Sequence, residues 1–190
     1  MNVAELSQKL FDEGLQNKRQ GNYARALELY KKSIEVYPQQ GNRDLSATLN
    51  AMGKAFYLNQ NYKAAVLSYE TALMFLLEWQ IVKDMQLIAD GCADDMTRFR
   101  FMGFLRNPAK NIGHALLDSG NNTNRTEIRN YVAAVSGYPY DDDDAYKSYD
   151  EVCRQKGMNF LIETIIQFAT KKGDIGRDIN ERINRLFQCC

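Results

Sequence analysis

The sequence has little that would support catalysis by a metal, a nucleotide or a histidine-based triad. It contains one histidine, His114, and four cysteines, Cys92, Cys153, Cys189 and Cys190, whose spacing matches neither a zinc site nor a disulfide framework. No phosphate-binding glycine loop occurs in the chain. These absences predict that the protein holds no metal and no cofactor, and they argue against an enzyme.

An excess of one charge and a long apolar run are also missing. Twenty-four basic side chains balance twenty-four acidic ones, whereas proteins that bind bulk nucleic acid carry a positive excess. No apolar run approaches the roughly 18 residues of a membrane span, and the N-terminus lacks the pattern of a signal peptide. We therefore expect a cytoplasmic protein with no nucleic-acid or membrane partner. The ending Cys189-Cys190 resembles that of prenylated proteins, and the sequence leaves its modification open.

What the sequence does contain is an internal repeat. Residues 10–38, "LFDEGLQNKRQGNYARALELYKKSIEVYP", align with residues 49–77, "LNAMGKAFYLNQNYKAAVLSYETALMFLL", at an offset of 39 residues. Small and large residues alternate in both copies, which is what two antiparallel helices need in order to interlock. Each copy therefore predicts a helical hairpin. The small positions are Gly14, Ala26 and Ser33, then Gly53, Ala65 and Ala72, and the aromatic positions are Tyr23 and Tyr30, then Tyr62 and Tyr69.

The turns inside the two copies differ. The first, "RQGNY", contains Gly21, which favours the left-handed conformation that ends a helix. The second, "NQNY", has Gln60 in that place, and we expect the neighbouring Asn59 or Asn61 to take the left-handed conformation instead.

Both copies resemble tetratricopeptide repeats, which are helical hairpins that stack into a right-handed solenoid. The resemblance covers about residues 4–80, and its period exceeds the family's usual length of about 34 residues through a longer connection, "PQQGNRDLSA". Leu87 and Gly91 have the spacing that separates Leu49 from Gly53. We therefore expect a long helix over 82–105 that packs on the second hairpin as the first helix of a third repeat would.

The resemblance implies a concave groove, lined by the first helix of each hairpin, that binds a peptide segment of another protein. The groove candidates in the first copy are Phe11, Leu15 and Lys18, and those in the second copy are Asn50, Lys54 and Tyr57. Lysine and asparagine would grip a carboxylate or a peptide backbone, and the other three would hold apolar side chains.

A second candidate interaction surface is the stretch "RFRFMGFLR", which contains Arg98, Arg100 and Arg106. Arginines interleaved with phenylalanines are typical of protein-interaction hot spots and of single-strand binding surfaces. The alternative is ordinary core packing, because Phe101 and Phe104 share one face of a helix.

The remainder of the chain is helical in pattern and not repetitive. Asn107-Pro108 predicts a helix start. Ile179, Ile183 and Leu186 recur at helical spacing near the C-terminus. The predicted fold is all-α: two repeat-like hairpins in 1–80, and a helical extension in 81–190 that caps the array through Ile165, Phe168 and Leu186.

Three functions are compatible with this architecture. The first is a non-enzymatic adaptor or scaffold that binds a protein segment in the groove. The second is an enzyme or regulatory protein whose active region is helical and lies within 81–190. The third is a self-associating structural subunit, such as a homodimer.

Overall fold

The computed structural model describes residues 2–36, 45–76, 84, 87, 90–119 and 175–190. These residues form six helices: α1 (Val3–Arg19), α2 (Tyr23–Val36), α3 (Leu45–Leu58), α4 (Tyr62–Phe75), α5 (Asp95–Asp118) and α6 (Ile175–Phe187). The side chains of residues 98, 101–107 and 175–177 are outside the description. No strand occurs in the described part, which confirms the all-α prediction. Its helices include none with the length and apolar character of a membrane span.

The two hairpins are held together by contacts between a glycine and a tyrosine. A Cβ atom added to Gly14 of α1 would lie 2.5 Å from the Tyr30 ring of α2, and one added to Gly53 of α3 would lie 2.6 Å from the Tyr69 ring of α4. Both tyrosines are almost fully buried. Only glycine leaves room for the aromatic ring against the opposing helix, so the predicted pairing of small and large residues is confirmed in both copies.

Serine hydroxyls tie the helices of each hairpin at a second level. The Ser7 hydroxyl donates to the Ser33 carbonyl oxygen at 3.0 Å, and the Ser33 hydroxyl donates to the Ser7 carbonyl oxygen at 2.9 Å. In the second hairpin the Ser68 hydroxyl donates to the Leu49 carbonyl oxygen at 2.7 Å. Because the start of α1 meets the end of α2, the two helices are antiparallel.

The turn within the second hairpin differs from the expectation. Gly21 has φ +80° in the first turn, as predicted, but in the second turn Gln60 itself has φ +61°. Neither Asn59 nor Asn61 takes the left-handed conformation. Asn61 instead caps α4, because its side chain accepts a hydrogen bond from the Ala64 backbone N–H at 3.2 Å. Because Asn61 adopts the conformation of a helix cap, the left-handed conformation is taken by Gln60, for which it is less favourable than for glycine.

The hairpins stack through α2 and α3 and share one core with parts of α5 and α6. Packing of this kind buries the apolar stripe that each helix carries and supplies most of its stability. The largest fully buried side chains of the hairpins include Tyr30, Leu49, Met52, Phe56, Tyr69, Leu73, Met74 and Phe75.

The region after the second hairpin departs from its prediction. Gly91 has φ +70° in an exposed turn and Leu87 is 41% exposed, so these residues do not form the buried position of a third repeat. Helix α5 begins at Asp95 instead, where the Thr97 backbone N–H donates to the Asp94 carboxylate at 2.7 Å. It runs through Pro108, so the predicted helix start at Asn107-Pro108 is also wrong.

Helix α5 nevertheless packs on α4, as the first helix of a third repeat would. Ala109 and Ile112 are fully buried and belong to the common core, and Gly113 is buried beside them. Ala109 and Gly113 have the spacing of Leu49 and Gly53. The predicted contact therefore exists, about 22 residues later in the chain than the sequence pattern indicated, as the shift from Gly91 to Gly113 shows.

The C-terminal helix α6 covers the outer side of α4. Ile179, Ile183 and Leu186 are buried in the common core, which confirms their predicted apolar stripe. Arg182 pairs with Glu70 of α4 at 2.9 Å, and both side chains are largely buried. The Lys31 ammonium group of α2 lies 5.2 Å from the Phe187 ring centroid. Leu186 thus packs in the core that the hairpins share with α6, while Ile165 and Phe168 lie outside the described residues.

Candidate functional site

The six groove candidates lie on the first helices of the two hairpins, and we call the two sets together the first-helix face. Phe11, Leu15 and Lys18 follow one another at intervals of four and three residues along α1, and Asn50, Lys54 and Tyr57 repeat those intervals along α3. Residues at such intervals share one side of a helix. Lys54 is exposed and the other five are half-buried, so each set presents side chains at the protein surface.

The apolar members of the first-helix face are also part of the packing. Phe11, Leu15 and Tyr57 are partly buried against the common core. The Phe11 ring lies 5.8 Å from the Tyr30 ring, centroid to centroid, so Phe11 covers the glycine–tyrosine contact of the first hairpin. A ligand that touches these residues would meet a surface held in place from below.

Two lysines come together across the first-helix face. Burial lowers the pKa of Lys18, and the positive charges of Lys54 and Arg19 lower it further. The Lys54 ammonium group lies 4.7 Å from the Tyr57 ring centroid, where the aromatic face attracts it. The C-terminal halves of α1 and α3 therefore hold a pair of like charges close enough to repel each other.

Asn50 carries an unsatisfied polar atom. Its side-chain oxygen is buried and has no hydrogen-bond partner within the described residues. Buried polar atoms are paired in the great majority of cases, and an unpaired one costs about 1–3 kcal/mol. Asn50 as a whole is half-buried, so a change of its side-chain rotamer would bring the amide group to the surface, where it could bond to a peptide N–H or carbonyl group.

Tyr57 links the first-helix face to α5. Its hydroxyl donates to the Asp118 carboxylate, with the two oxygens 2.5 Å apart, and its ring packs edge-on against the Tyr62 ring with centroids 5.6 Å apart. Because Asp118 ends α5, the C-terminal ends of α3 and α5 lie side by side.

Two residues of α5 correspond by spacing to members of the first-helix face, and the sequence reasoning missed them. Counted from the buried Gly113, Lys110 takes the place that Asn50 has relative to Gly53, and His114 takes the place of Lys54. Both are half-buried on α5. The signal that would have identified them is the Ala109–Gly113 spacing.

The arginine-rich stretch is engaged within the chain at one position. The Arg100 guanidinium group donates two hydrogen bonds to the Asp84 carboxylate, at 2.8 and 2.6 Å, and these bonds hold the pKa of Asp84 below its usual range. Phe99 beside it is 78% exposed. The side chains of Arg98, Arg106, Phe101 and Phe104 lie outside the described residues.

Among the described residues, the cysteines and acidic groups form no organised chemical site. Cys92, Cys189 and Cys190 are unpaired and exposed, and Cys153 is outside the described residues. Cys190 is exposed as a residue, but its sulfur lies 3.5 Å from the Leu186 carbonyl oxygen, and this partial burial raises the pKa of the thiol to about 11, which disfavours the reactive thiolate. In the described part of the chain, histidine, cysteine and carboxylate side chains form no group of three that could hold a metal ion.

Comparison with known families agrees with this geometry. Residues 8–76 match the family model of the tetratricopeptide repeat. The two N-terminal hairpins are tetratricopeptide repeats. The match spans most of α1 and all of α2, α3 and α4, and it confirms the resemblance seen in the sequence. It implies a protein partner, because such repeats serve protein–protein interaction. No curated protein and no solved structure gave a significant match.

Proposed function

We propose that this protein is a non-enzymatic adaptor that binds a peptide segment of another protein on the first-helix face. The observation that carries this proposal is the state of Asn50: among the candidate residues of α3, its buried amide oxygen lacks a partner within the described residues. A fold tolerates such a cost most readily where a ligand relieves it.

The rest of the face is suited to a chain of mixed character. Phe11 and Leu15 supply a fixed apolar surface, and Lys18 and Lys54 supply donors that form no ion pair with a carboxylate among the described residues. An extended peptide offers alternating polar and apolar groups of this kind. The helices beneath are interlocked by the glycine–tyrosine contacts, so little ordering is required on binding.

We also propose that 1–80 forms the binding array and that 81–190 is a helical extension which caps it. Packing of α5 and α6 on α4 supports this division, because both helices bury apolar residues in the core of the hairpins. The alternatives of an active region in 81–190 or a self-associating subunit gain no specific support from the described residues.

The test is affinity capture from cells with the full chain and with Asn50→Ala/Lys54→Ala. Phe11 is left intact because its ring packs on Tyr30, so its removal would also disturb the fold. The matched control is Lys32→Ala/Lys63→Ala, which changes two exposed residues on the second helices α2 and α4.

We expect the groove variant to lose specific partners that the control variant retains, with equal helical content in all three proteins. Capture of the same partners by the groove variant and the control would contradict the proposal.

A further inference from the structure

The N-terminal part of α5 is longer than the corresponding part of α3. Helix α5 begins 18 residues before Gly113, whereas α3 begins 8 residues before the corresponding Gly53. The extra ten residues lengthen the helix by about 15 Å, at a rise of 1.5 Å per residue. They precede Lys110, the first residue of α5 that corresponds by spacing to the first-helix face, so they form a separate surface.

One side of this extension is attached to the rest of the chain. Thr97 is buried, and the Arg100 guanidinium group donates its two hydrogen bonds to the buried Asp84 carboxylate. Residues three apart in a helix share one side, so both contacts hold the extension from the same direction. The orientation of its remaining surface is therefore fixed.

That remaining surface shows two neighbouring apolar side chains to solvent. Phe99 is 78% exposed and Met96 is 68% exposed, and no other large apolar side chain of the described residues is exposed to this extent. Their spacing of three residues places them side by side, and we call this pair the Met96–Phe99 ridge. Single exposed apolar residues are ordinary on a protein surface, whereas an adjoining group of them marks an interaction site.

The charge beside the ridge is negative. Asp95 lies four residues before Phe99, on the same side of α5, and Asp90 lies in the exposed turn that precedes the helix. Neither forms an ion pair among the described residues. Asp94 adds a third carboxylate, and Arg98 is the only basic residue in 90–99. The positive charge of Arg100 is offset by Asp84.

We propose that the Met96–Phe99 ridge is a second docking surface, which receives a basic amphipathic helix of another protein. Apolar side chains of that helix pack against Met96 and Phe99, and its lysines or arginines face Asp90 and Asp95. A ridge of side chains on one helix fits between the side-chain rows of another.

Charge decides between the possible occupants of the ridge. An acidic partner would be repelled, and a second copy of this chain would bring the same carboxylates together, so a positively charged partner is favoured. The inference does not depend on peptide binding at the first-helix face, because the ridge shares no residue with that face.

The experiment measures the binding of two synthetic fourteen-residue amphipathic helices to the full chain by fluorescence polarisation at physiological ionic strength. The two peptides share one leucine stripe, and their polar positions are all lysine in one and all glutamate in the other. Met96→Ser/Phe99→Ser removes the ridge, and Val3→Ser/Leu58→Ser is its control at two other exposed apolar positions.

A second pair of variants tests the charge. Asp90→Lys/Asp95→Lys reverses it beside the ridge, and Glu28→Lys/Glu35→Lys makes the same change at exposed positions of α2. All substituted residues are exposed, so we expect equal helical content by circular dichroism in every variant.

We expect the lysine peptide to bind the wild type at least tenfold more tightly than the glutamate peptide. Removal of the ridge should weaken binding of the lysine peptide roughly tenfold or more, because less apolar surface is buried. Charge reversal beside the ridge should weaken the lysine peptide and strengthen the glutamate peptide. Both controls should stay within about twofold of the wild type.

Several results would overturn the inference. They are no binding of the lysine peptide, equal binding of the two peptides, unchanged binding after removal of the ridge or charge reversal, and an equal loss in the matched controls. A dimer of the wild type in sedimentation velocity that Met96→Ser/Phe99→Ser dissociates would assign the ridge to a second copy and overturn it too. None of these results bears on Asn50 and Lys54, so the proposed function stands or fails separately.

Discussion

The two hairpins share one internal design and differ in their surroundings. In each, a glycine of the first helix receives the tyrosine ring of the second. In α1 only Ser7 and Gly14 are buried, whereas in α3 nine residues are. The reason is position, since α3 and α4 lie between the first hairpin and the helices α5 and α6. The repeat pattern thus determines the hairpin, and its neighbours determine how much of it is buried.

The largest expected effect comes from removing a neighbour of the second hairpin. Leu186 is fully buried in the shared core, so Leu186→Ala should lower the free energy of unfolding by about 2–4 kcal/mol. Hydrogen exchange should accelerate in α4 more than in α1, because α6 packs on α4. Gln188→Ala, at an exposed position, is the control. Equal acceleration in α1 and α4 would show that the hairpins do not differ in this respect.

The shared glycine–tyrosine contact can be tested by filling it. Gly53→Ala should lower the free energy of unfolding by about 1–3 kcal/mol, because the new methyl group overlaps the Tyr69 ring. Gly14→Ala should cost less, since the more exposed first hairpin has more room to relax.

A double-mutant cycle checks the cause of this loss. In a Tyr30→Leu background the added cost of Gly14→Ala should shrink, as expected for residues in direct contact. The same cost in both backgrounds, measured by urea unfolding, would argue against overlap with the tyrosine.

The tyrosine of the first hairpin carries a polar group without a described partner. The Tyr30 hydroxyl is buried and unpaired within the described residues, so Tyr30→Phe should raise the free energy of unfolding by about 1 kcal/mol at neutral pH. Burial raises the pKa of Tyr30 from 10.0 to about 12. The folded state thus favours the neutral phenol, and this stabilisation is present below pH 10.0 and is lost as the pH rises towards 12.

The pH dependence separates this phenol from the other tyrosines. Between pH 7 and about pH 10.5, the free energy of unfolding measured with urea should fall less for Tyr30→Phe than for the wild type. Parallel losses in the two proteins would mean that the Tyr30 phenol does not titrate differently on unfolding.

The smallest effect concerns the turns. Gln60 has φ +61° where the first hairpin has Gly21, so Gln60→Gly should stabilise the protein by about 0.5–1 kcal/mol, and Gly21→Gln should destabilise it by a similar amount. Asn59→Gly, next to the strained residue, should give no gain. Thermal unfolding of the three variants measures these changes in stability. Stabilisation by Asn59→Gly rather than by Gln60→Gly would contradict the assignment of the strain to Gln60.

Glycine explains both the success and the failure of the sequence reasoning. A glycine allows either close contact between helices or a left-handed turn. Gly14 and Gly53 were identified correctly because tyrosines at matching distances supported the first use. Gly91 was supported by Leu87 alone, and the structure places it in a turn with φ +70°. A pattern of only two residues, Leu87 and Gly91, is too short to fix the position of a helix.

The candidate site was also predicted only in part from the sequence. Helical spacing was sufficient to place three candidates on one side of α1 and three on one side of α3, because it depends only on local geometry. The proximity of Lys18 to Lys54, the unpaired oxygen of Asn50 and the bond from Tyr57 to Asp118 depend on how separate helices pack. Lys110 and His114 were missed because the third helix was placed too early in the chain.

The central claim is that the first-helix face is the binding surface. The most direct measurement is a titration of the isotope-labelled full chain with a peptide from a partner that affinity capture identifies, followed by two-dimensional amide NMR. We expect resonances of Lys18, Asn50 and Lys54 to shift, including the Asn50 side-chain amide, while those of α6 remain in place. Shifts confined to α6 and the outer side of α4, with the first-helix face unchanged, would contradict the account.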